Sequence, residues 1–126
     1  MKWLILAALF SVTIIAGCKT YTQGERIYQN QCANCHGTKG EGLAQLYPAL
    51  QRSLVLQQQL AKVPCIILKG KVSVDKNGNK VSEMPAIPTM KEVEMANLLN
   101  YLQKEFTNNE MTVTVDSVLK WRSDCN

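Results

Sequence analysis

The sequence of 126 residues predicts an all-α domain of about four to five short helices with one minor β-hairpin. Apolar residues recur at helical spacing between Met95 and Phe106, which predicts a long amphipathic helix. Residues typical of helix starts, such as Ser53 and Thr114, precede several shorter segments. An Asn-Gly pair, Asn77-Gly78, separates two short alternating segments and predicts the hairpin.

The first residues predict an export signal rather than a part of the fold. Met1-Lys2 is a short positive start, and the 13 residues of Trp3–Ile15 are apolar except for Ser11 and Thr13. A membrane-spanning helix needs roughly 20 such residues, so this shorter run is typical of a signal-peptide core.

The segment Ile15-Ala16-Gly17-Cys18 resembles the lipobox of bacterial lipoproteins, in which cleavage precedes a cysteine whose thiol is then acylated. Several acyl chains on one residue would anchor a protein stably. The resemblance implies an extracytoplasmic, periplasmic protein that lipid anchors to a cell membrane. The alternatives are an ordinary secretory signal with an unrelated cysteine and a retained inner-membrane anchor. The implied divisions are a removed signal peptide (1–17), a lipidated Cys18 with a short tether (18–23), and a domain (24–126) with a C-terminal extension from about 107.

The first helix is predicted from the spacing of Thr22 and Glu25, which is that of a capping box with Thr22 as the N-cap. This helix should carry Ile27 and Tyr28, with Gln31, into the cysteine motif that follows. Gly24 inside a helix costs about 1 kcal/mol relative to alanine, so a packing reason for it is expected.

The segment Cys32-Ala33-Asn34-Cys35-His36 is a C-x-x-C-H motif, which is typical of c-type haem attachment. Each thiol adds to one vinyl group of the porphyrin, and the adjacent His36 lies under the iron as its proximal ligand. Two alternatives remain. A thioredoxin-like dithiol would need a βαβ setting, and a zinc site would need Cys32, Cys35, His36 and one distant cysteine.

The middle of the chain predicts two short helices and the hairpin. Ser53 is the expected cap of a helix that carries Leu54, Leu56 and Leu60. Pro64 suits the first turn of a further helix, Cys65–Lys69, which Gly70 ends. The hairpin strands are Lys71–Val74 and Lys80–Ser82, and the turn is Asp75–Asn79.

Two helices are predicted near the C-terminus. Thr89 and Glu92 have capping-box spacing, which places Met90 at the first helical position. The helix that follows has an apolar stripe. Thr114 is expected to cap a last short helix with Val115, Val118 and Leu119 facing inward. The stripe consists of Met95, Leu98, Leu99, Leu102 and Phe106.

Composition excludes several classes of protein. The chain has 14 Lys+Arg against 10 Asp+Glu, a formal net charge of +4, and no dense basic run, so no nucleic-acid partner is expected. Its hydrophobic content of 46% excludes a disordered chain. The single histidine excludes any site that needs two imidazoles from one chain.

Together these motifs resemble a class I c-type cytochrome with a single haem, from about Gly24 to Phe106. The family pattern is a helix, C-x-x-C-H, a glycine-containing loop, a Pro-x-Leu step, a Met-Pro loop, and a helix with an aromatic residue. The segment from Met84 to Pro88 also resembles small bacterial cytochromes and cytochrome domains fused to oxidases. The matching residues are Gly24, Tyr28, Cys32–Gly37, Gly40-Glu41-Gly42, Pro48-Ala49-Leu50, Met84-Pro85-Ala86 and Tyr101.

The resemblance implies a small cytochrome c fold around one covalently bound haem c. Cys32 and Cys35 would form the thioethers, His36 and Met84 would bind the iron, and the Pro48 carbonyl would accept a hydrogen bond from His36 Nδ1. Pro48 read from the sequence alone is equally a plain turn proline.

The other methionines of the predicted domain are interpreted separately. Met95 is explained by the core stripe, and Met111 lies in the unmatched tail. Met90 is the reserve candidate for the distal ligand, and an open five-coordinate iron is the remaining option.

Cys65 and Cys125 remain once the other cysteines are assigned. In an oxidising compartment we expect them to form a disulfide that ties the C-terminal tail to the helix before the hairpin. Two free thiols are the alternative.

The expected function is electron transfer by a monomeric carrier that is not an enzyme. The expected partners are redox proteins: a quinol-oxidising complex, a terminal oxidase or a dehydrogenase. Two alternatives remain, a haem-bearing subunit of a larger respiratory complex and a five-coordinate gas-binding or peroxidase-type haem protein. Lysines near the haem edge would either steer acidic partners or only keep the protein soluble. These lysines are Lys39, Lys62, Lys69, Lys71 and Lys80.

Overall fold

The computed structural model describes residues 20–44, 46–109 and 111–125, and in these it confirms a mostly helical fold with one small antiparallel hairpin. Among these residues no helix has the length and apolar character needed to cross a membrane. Cys18 and the predicted signal peptide (1–17) lie outside the described residues. The helices are α1 (Thr20–Gln31), α2 (Ala33–His36), α3 (Leu54–Gln58), a 3₁₀ turn (Leu60–Lys62), α4 (Val63–Lys69), α5 (Glu92–Phe106) and α6 (Val115–Ser123), and the strands are β1 (Lys71–Val74) and β2 (Lys80–Met84).

Helix α1 begins earlier than the sequence predicted. Thr20 is already helical, so residues 20–23 belong to the helix and Thr22 is not an N-cap. The capping-box spacing of Thr22 and Glu25 is therefore coincidental. Three-residue spacing between a threonine and a glutamate also occurs inside helices, where it carries no information about their ends.

The crossing of α1 and α5 explains Gly24. A Cβ on Gly24 would lie 2.2 Å from the backbone oxygen of Asn97 and 2.8 Å from the Cβ of Tyr101, so only glycine permits this approach. Beside the crossing, Tyr28 packs against Tyr101 and Phe106, with ring centroids 5.4 and 5.2 Å away. These contacts fix the helix that leads into the C-x-x-C-H motif.

Helix α5 supplies the centre of the core, and its predicted apolar stripe from Met95 to Phe106 is confirmed as buried. Its predicted start is wrong: the helix begins at Glu92, and the Lys91 backbone N–H donates to the Glu94 carboxylate at 2.9 Å. Met90 precedes the helix instead of occupying its first position, and it is buried in the core. A hydrophobic residue just before an N-cap often packs against a hydrophobic side chain in the first turns of the helix that follows.

Two predicted helix starts and one predicted helix end in the middle of the chain are confirmed, but α3 ends at Gln58, so Leu60 lies in the 3₁₀ turn and not in this helix. The Ser53 hydroxyl accepts from the Leu56 N–H at the start of α3, and Pro64 lies in the first turn of α4. Gly70 ends α4 with a φ of 71°.

The hairpin is also confirmed, with Val72 opposite Ser82 and Val74 opposite Lys80. Asp75 organises its turn, because one carboxylate oxygen accepts from the N–H groups of Asn77 and Asn79.

The C-terminal extension folds against α4 and α5. Thr114 caps α6 as predicted, since its hydroxyl accepts from the Ser117 N–H. Val118 is fully buried, but Val115 and Leu119 are exposed, contrary to the expectation that all three face inward. One buried position in this short helix is enough, because a disulfide between Cys65 and Cys125 also holds the extension.

Candidate functional site

The C-x-x-C-H motif forms a short helix that continues the course of α1. The Cys32 N–H donates to the Tyr28 carbonyl, and the His36 N–H donates to the Cys32 carbonyl at 2.9 Å. Both cysteines and His36 therefore lie within one helical turn. The loop after the motif is held by Tyr28, whose buried hydroxyl donates to the Gly37 carbonyl at 2.5 Å. Burial also raises the pKa of Tyr28, so this hydroxyl stays protonated and remains a donor.

The orientation of His36 is set by Pro48. The Nδ1 atom of His36 lies 2.9 Å from the Pro48 carbonyl oxygen. A carbonyl oxygen can only accept, so Nδ1 carries the hydrogen. In the neutral ring Nε2 then keeps its lone pair and can bind a metal ion. A hydrogen bond of this kind fixes the ring and raises its basicity as a ligand.

The Pro48 carbonyl is placed by the glycine-rich loop before it. Gly42 has a φ of 73°, and its N–H donates to the His36 carbonyl at 2.7 Å. A Cβ there would lie 2.6 Å from the Tyr47 oxygen and 2.9 Å from the Pro48 carbonyl carbon. Gly42 is thus in contact with the backbones on both sides of the His36–Pro48 hydrogen bond.

Met84 is positioned by α4 and the hairpin. It ends β2 and is half-buried against the core. A Cβ on Gly70 would lie 2.4 Å from the Met84 carbonyl oxygen, which requires glycine at the end of α4. Just after Met84, the Ile87 N–H donates to the Ile67 carbonyl at 2.8 Å. Both sides of the Met-Pro loop are therefore attached to α4.

His36 and Met84 line one cavity of about 500 Å³. This volume lies within the range of about 300–1,000 Å³ typical of small-molecule and cofactor sites. The cavity is open on one side, where Leu46 is 75% exposed. Its lining residues are Cys35, His36, Leu46, Tyr47, Pro48, Lys71, Val81, Glu83, Met84 and Pro85.

The other methionines among the described residues do not line this cavity. Met90 and Met95 are buried in the core, with 4% and 0% of their surface exposed. Met111 lies in the extension and is 45% exposed. Among these methionines, Met84 alone shares a cavity with His36.

Cys32 and Cys35 take no part in a disulfide. Cys35 lines the cavity, whereas Cys32 is packed against the hydrophobic core beside it. Burial, with a smaller contribution from Cys35, raises the pKa of the Cys32 thiol to about 11. Cys32 is thus held as a neutral thiol at neutral pH.

The described residues support neither of the alternative interpretations of the motif, a thioredoxin-like dithiol or a zinc site. The motif lies between helices and not in a βαβ unit. The disulfide takes Cys65 and Cys125, which a zinc site would need as distant ligands. The described residues hold no group of three or more metal-binding side chains of the His, Cys, Asp and Glu types.

Sequence reasoning missed several residues of the site. It did not single out Tyr47, Val81 or Glu83, which line the cavity, or the backbone role of Gly42 and Gly70. A positive φ at a glycine leaves no signal beyond the glycine itself. That residues of the hairpin and of the loop near residue 47 line one cavity depends on the tertiary fold.

The site fits a haem. It combines a cavity of cofactor size, an imidazole whose Nε2 can bind metal, a thioether on the same cavity, and thiols in the turn before the imidazole. The helical fold and this site together define a small c-type cytochrome.

The comparison with protein families agrees with this class. The model of the family described as Cytochrome c matches residues 21–105, and the chain belongs to that family. Its cofactor is covalently attached haem c, and its chemistry is haem-based electron transfer. The match ends before the C-terminal extension. No curated protein matches the chain.

Proposed function

We propose that the chain is a monohaem electron carrier in which Cys32 and Cys35 form the thioethers and His36 and Met84 bind the iron. The observation that carries the proposal is the shared cavity: His36 and Met84 both line it, and the Pro48 carbonyl holds the Nδ1–H of His36. Methionine and histidine ligation raises the reduction potential of haem iron.

The haem supplies a metal that gains and loses one electron, and the chain's residues hold it for that purpose. Pro48 keeps the His36 ring in one orientation and one tautomer. Gly70 and Ile67 hold the backbone around Met84. Ligands that are fixed in both redox states keep rearrangement small, which favours fast electron exchange.

The surface near the cavity supports a transient redox partner. Lys71 lines the cavity and its side chain is 62% exposed, with the Glu83 carboxylate 3.9 Å away. Lys39, Lys62, Lys69 and Lys80 are exposed but are not lining residues. Exposed lysines would raise the association rate with acidic partners at low salt. We propose extracytoplasmic partners, such as a quinol-oxidising complex, a terminal oxidase or a dehydrogenase.

Lipid on Cys18 would anchor this carrier to a membrane in the periplasm. Globomycin-type inhibition of signal peptide cleavage, followed by mass spectrometry of the N-terminal peptide, tests the lipid. Isolation in mild detergent then separates a free carrier from a subunit of a larger complex, since only the subunit co-purifies with other chains.

The ligand assignment is tested by absorption spectroscopy of the mature haem protein. The ferric form should show a far-red sulfur-to-iron band that Met84→Ala abolishes. Met90→Leu is the control, because Met90 is a methionine buried in the core away from the cavity. Loss of the band in Met90→Leu, or carbon monoxide binding as fast as to an open iron, would contradict the assignment. Fast binding would favour a five-coordinate haem protein.

A further inference from the structure

The C-terminal extension lies beyond the residues that the family model matches, yet it buries Val113 and Val118 in the core and makes three polar or covalent attachments to the body of the domain. The Asn100 side chain pairs with the Val113 backbone through two hydrogen bonds of 2.8 Å. Arg122 on α6 pairs with Glu92 on α5. The third attachment is the disulfide between Cys125 and Cys65, and it alone of these three leads to α4.

Helix α4 is short and depends on tertiary contacts to hold its position. Isolated helices below about 12–15 residues are marginal in water, and α4 has 7 residues. Val63, Pro64 and Ile67 are buried, which anchors one side of the helix. The disulfide joins the same helix to α6, with Cα atoms 5.2 Å apart.

Helix α4 is also the element that holds the Met84 segment. Ile67 accepts the hydrogen bond from Ile87, and Gly70 lies against the backbone of Met84. A continuous connection therefore runs from α6 through Cys125 and Cys65 to Met84. The backbone around His36 is held by other contacts, those of Tyr28, Gly42 and Pro48.

We propose that the extension is a brace that slows dissociation of Met84 from the haem iron, acting through the Cys65–Cys125 disulfide and α4. The proposal rests on Met84 being the distal ligand. The disulfide positions α4, and α4 restrains the local opening that Met84 needs to leave the iron. The brace acts on the distal ligand and leaves the His36 side of the haem unchanged.

The test is the rate at which carbon monoxide binds the ferrous haem protein, because the gas must wait for Met84 to leave. The double variant Cys65→Ser/Cys125→Ser should bind carbon monoxide about tenfold faster than the wild type, which corresponds to about 1.4 kcal/mol. Arg122→Gln is the matched control. It removes an attachment of α6 to α5 but leaves the disulfide in place, so it should change the rate much less.

Several results would overturn the brace. One is an unchanged rate in the double variant, and another is a rise in Arg122→Gln as large as in the double variant. If the double variant does not accumulate, the wild-type protein is treated with a water-soluble phosphine to open the disulfide, and the same rise is expected. Absence of a Met84-dependent far-red band in the wild type would overturn the ligand assignment and the brace together. A band that depends on Met84, with no effect of opening the disulfide, overturns the brace alone.

Discussion

Gly42 lies so close to Pro48 that a Cβ on it would stand 2.9 Å from the Pro48 carbonyl carbon. The carbonyl oxygen on that carbon accepts the hydrogen bond from His36 Nδ1. The absence of a side chain at residue 42 is therefore part of what orients the imidazole. We therefore expect a side chain at residue 42 to disturb the position of His36.

We expect Gly42→Ala to destabilise the haem protein and to raise its reduction potential. The left-handed backbone at φ 73° costs an alanine roughly 1–2 kcal/mol. The overlap with Pro48 adds about 1–3 kcal/mol more. A displaced Pro48 carbonyl would weaken the His36 hydrogen bond. The imidazole would then donate less electron density to the iron, which disfavours the ferric state and raises the potential. Chemical denaturation and potentiometric titration measure the two effects.

Gly78→Ala is the matched control for this prediction. Gly78 has a similar φ of 82°, and a Cβ there would meet nothing within 4 Å. It should show the backbone cost without the overlap and without a change in potential. Equal effects at Gly42 and Gly78 would mean that Gly42 contributes only its backbone conformation.

The sequence predicted the parts of the fold that local chemistry determines. The hairpin turn follows from Asp75 and the Asn77-Gly78 pair, because the Asp75 carboxylate accepts hydrogen bonds only within its own turn. The stripe from Met95 to Phe106 follows from helical periodicity. The C-x-x-C-H motif needs one helical turn, and the structure provides it.

One error arose where two local capping patterns compete, and the others arose where tertiary contacts decide the outcome. Glu94, not Thr89, determines the start of α5, because its carboxylate reaches the Lys91 N–H. Leu119 is exposed although it lies on the same helix as the buried Val118. For the site, no local pattern reveals that Met84 and His36, which are far apart in sequence, line the same cavity. Only the tertiary fold, which places residues of β2 and of α2 around one cavity, brings them together.

Gly24→Ala should destabilise the protein despite the higher helix propensity of alanine. The gain in propensity is about 1 kcal/mol. A Cβ at residue 24 would lie 2.2 Å from the Asn97 backbone oxygen, so α1 and α5 must separate. Overpacking of this kind costs about 1–3 kcal/mol or more. The measurement is urea denaturation of the haem protein.

The control for Gly24→Ala is Asn30→Ala, at an exposed position of the same helix. It should change the free energy of unfolding little. A Gly24→Ala protein that is more stable than the wild type would mean that α1 and α5 separate at little cost and that the close contact of Gly24 with Asn97 does not require glycine.

The free energy of unfolding should depend on acidic pH in part through Glu41. The backbone N–H groups of Glu41 and Lys39 hold the pKa of the Glu41 carboxyl below its usual range. Since the folded-state pKa is lowered, the stabilising effect of this carboxylate is complete above the unfolded pKa. It is lost as the pH falls through the folded pKa.

Glu41→Gln should therefore be less stable than the wild type near neutral pH and should converge with it in acid. Denaturant titrations of both proteins at a series of pH values measure this difference. A gap that stays constant down to acidic pH would show that Glu41 stabilises the loop by packing against Gly37 and not by its charge.

The disulfide between Cys65 and Cys125 should be both present and stabilising in the haem protein. Peptide mapping after alkylation of the denatured, unreduced chain should find Cys65 and Cys125 unlabelled. A loop of 60 residues closed by a disulfide stabilises the native state by roughly 4 kcal/mol. Cys65→Ser/Cys125→Ser should lose about this amount of unfolding free energy and become insensitive to a phosphine reductant.

The wild-type protein should fall to the stability of the double variant when the same reductant is added. The reason is that opening the bond returns to the unfolded chain the entropy that the closed loop removed. A wild-type protein whose unfolding free energy is unaffected by the reductant, with labelled Cys65 and Cys125, would show that these cysteines are free thiols in solution. A third outcome is that Cys65 and Cys125 are labelled only after reduction, while the unfolding free energy does not fall. The disulfide would then form, but strain in the folded protein would offset its effect on the unfolded chain.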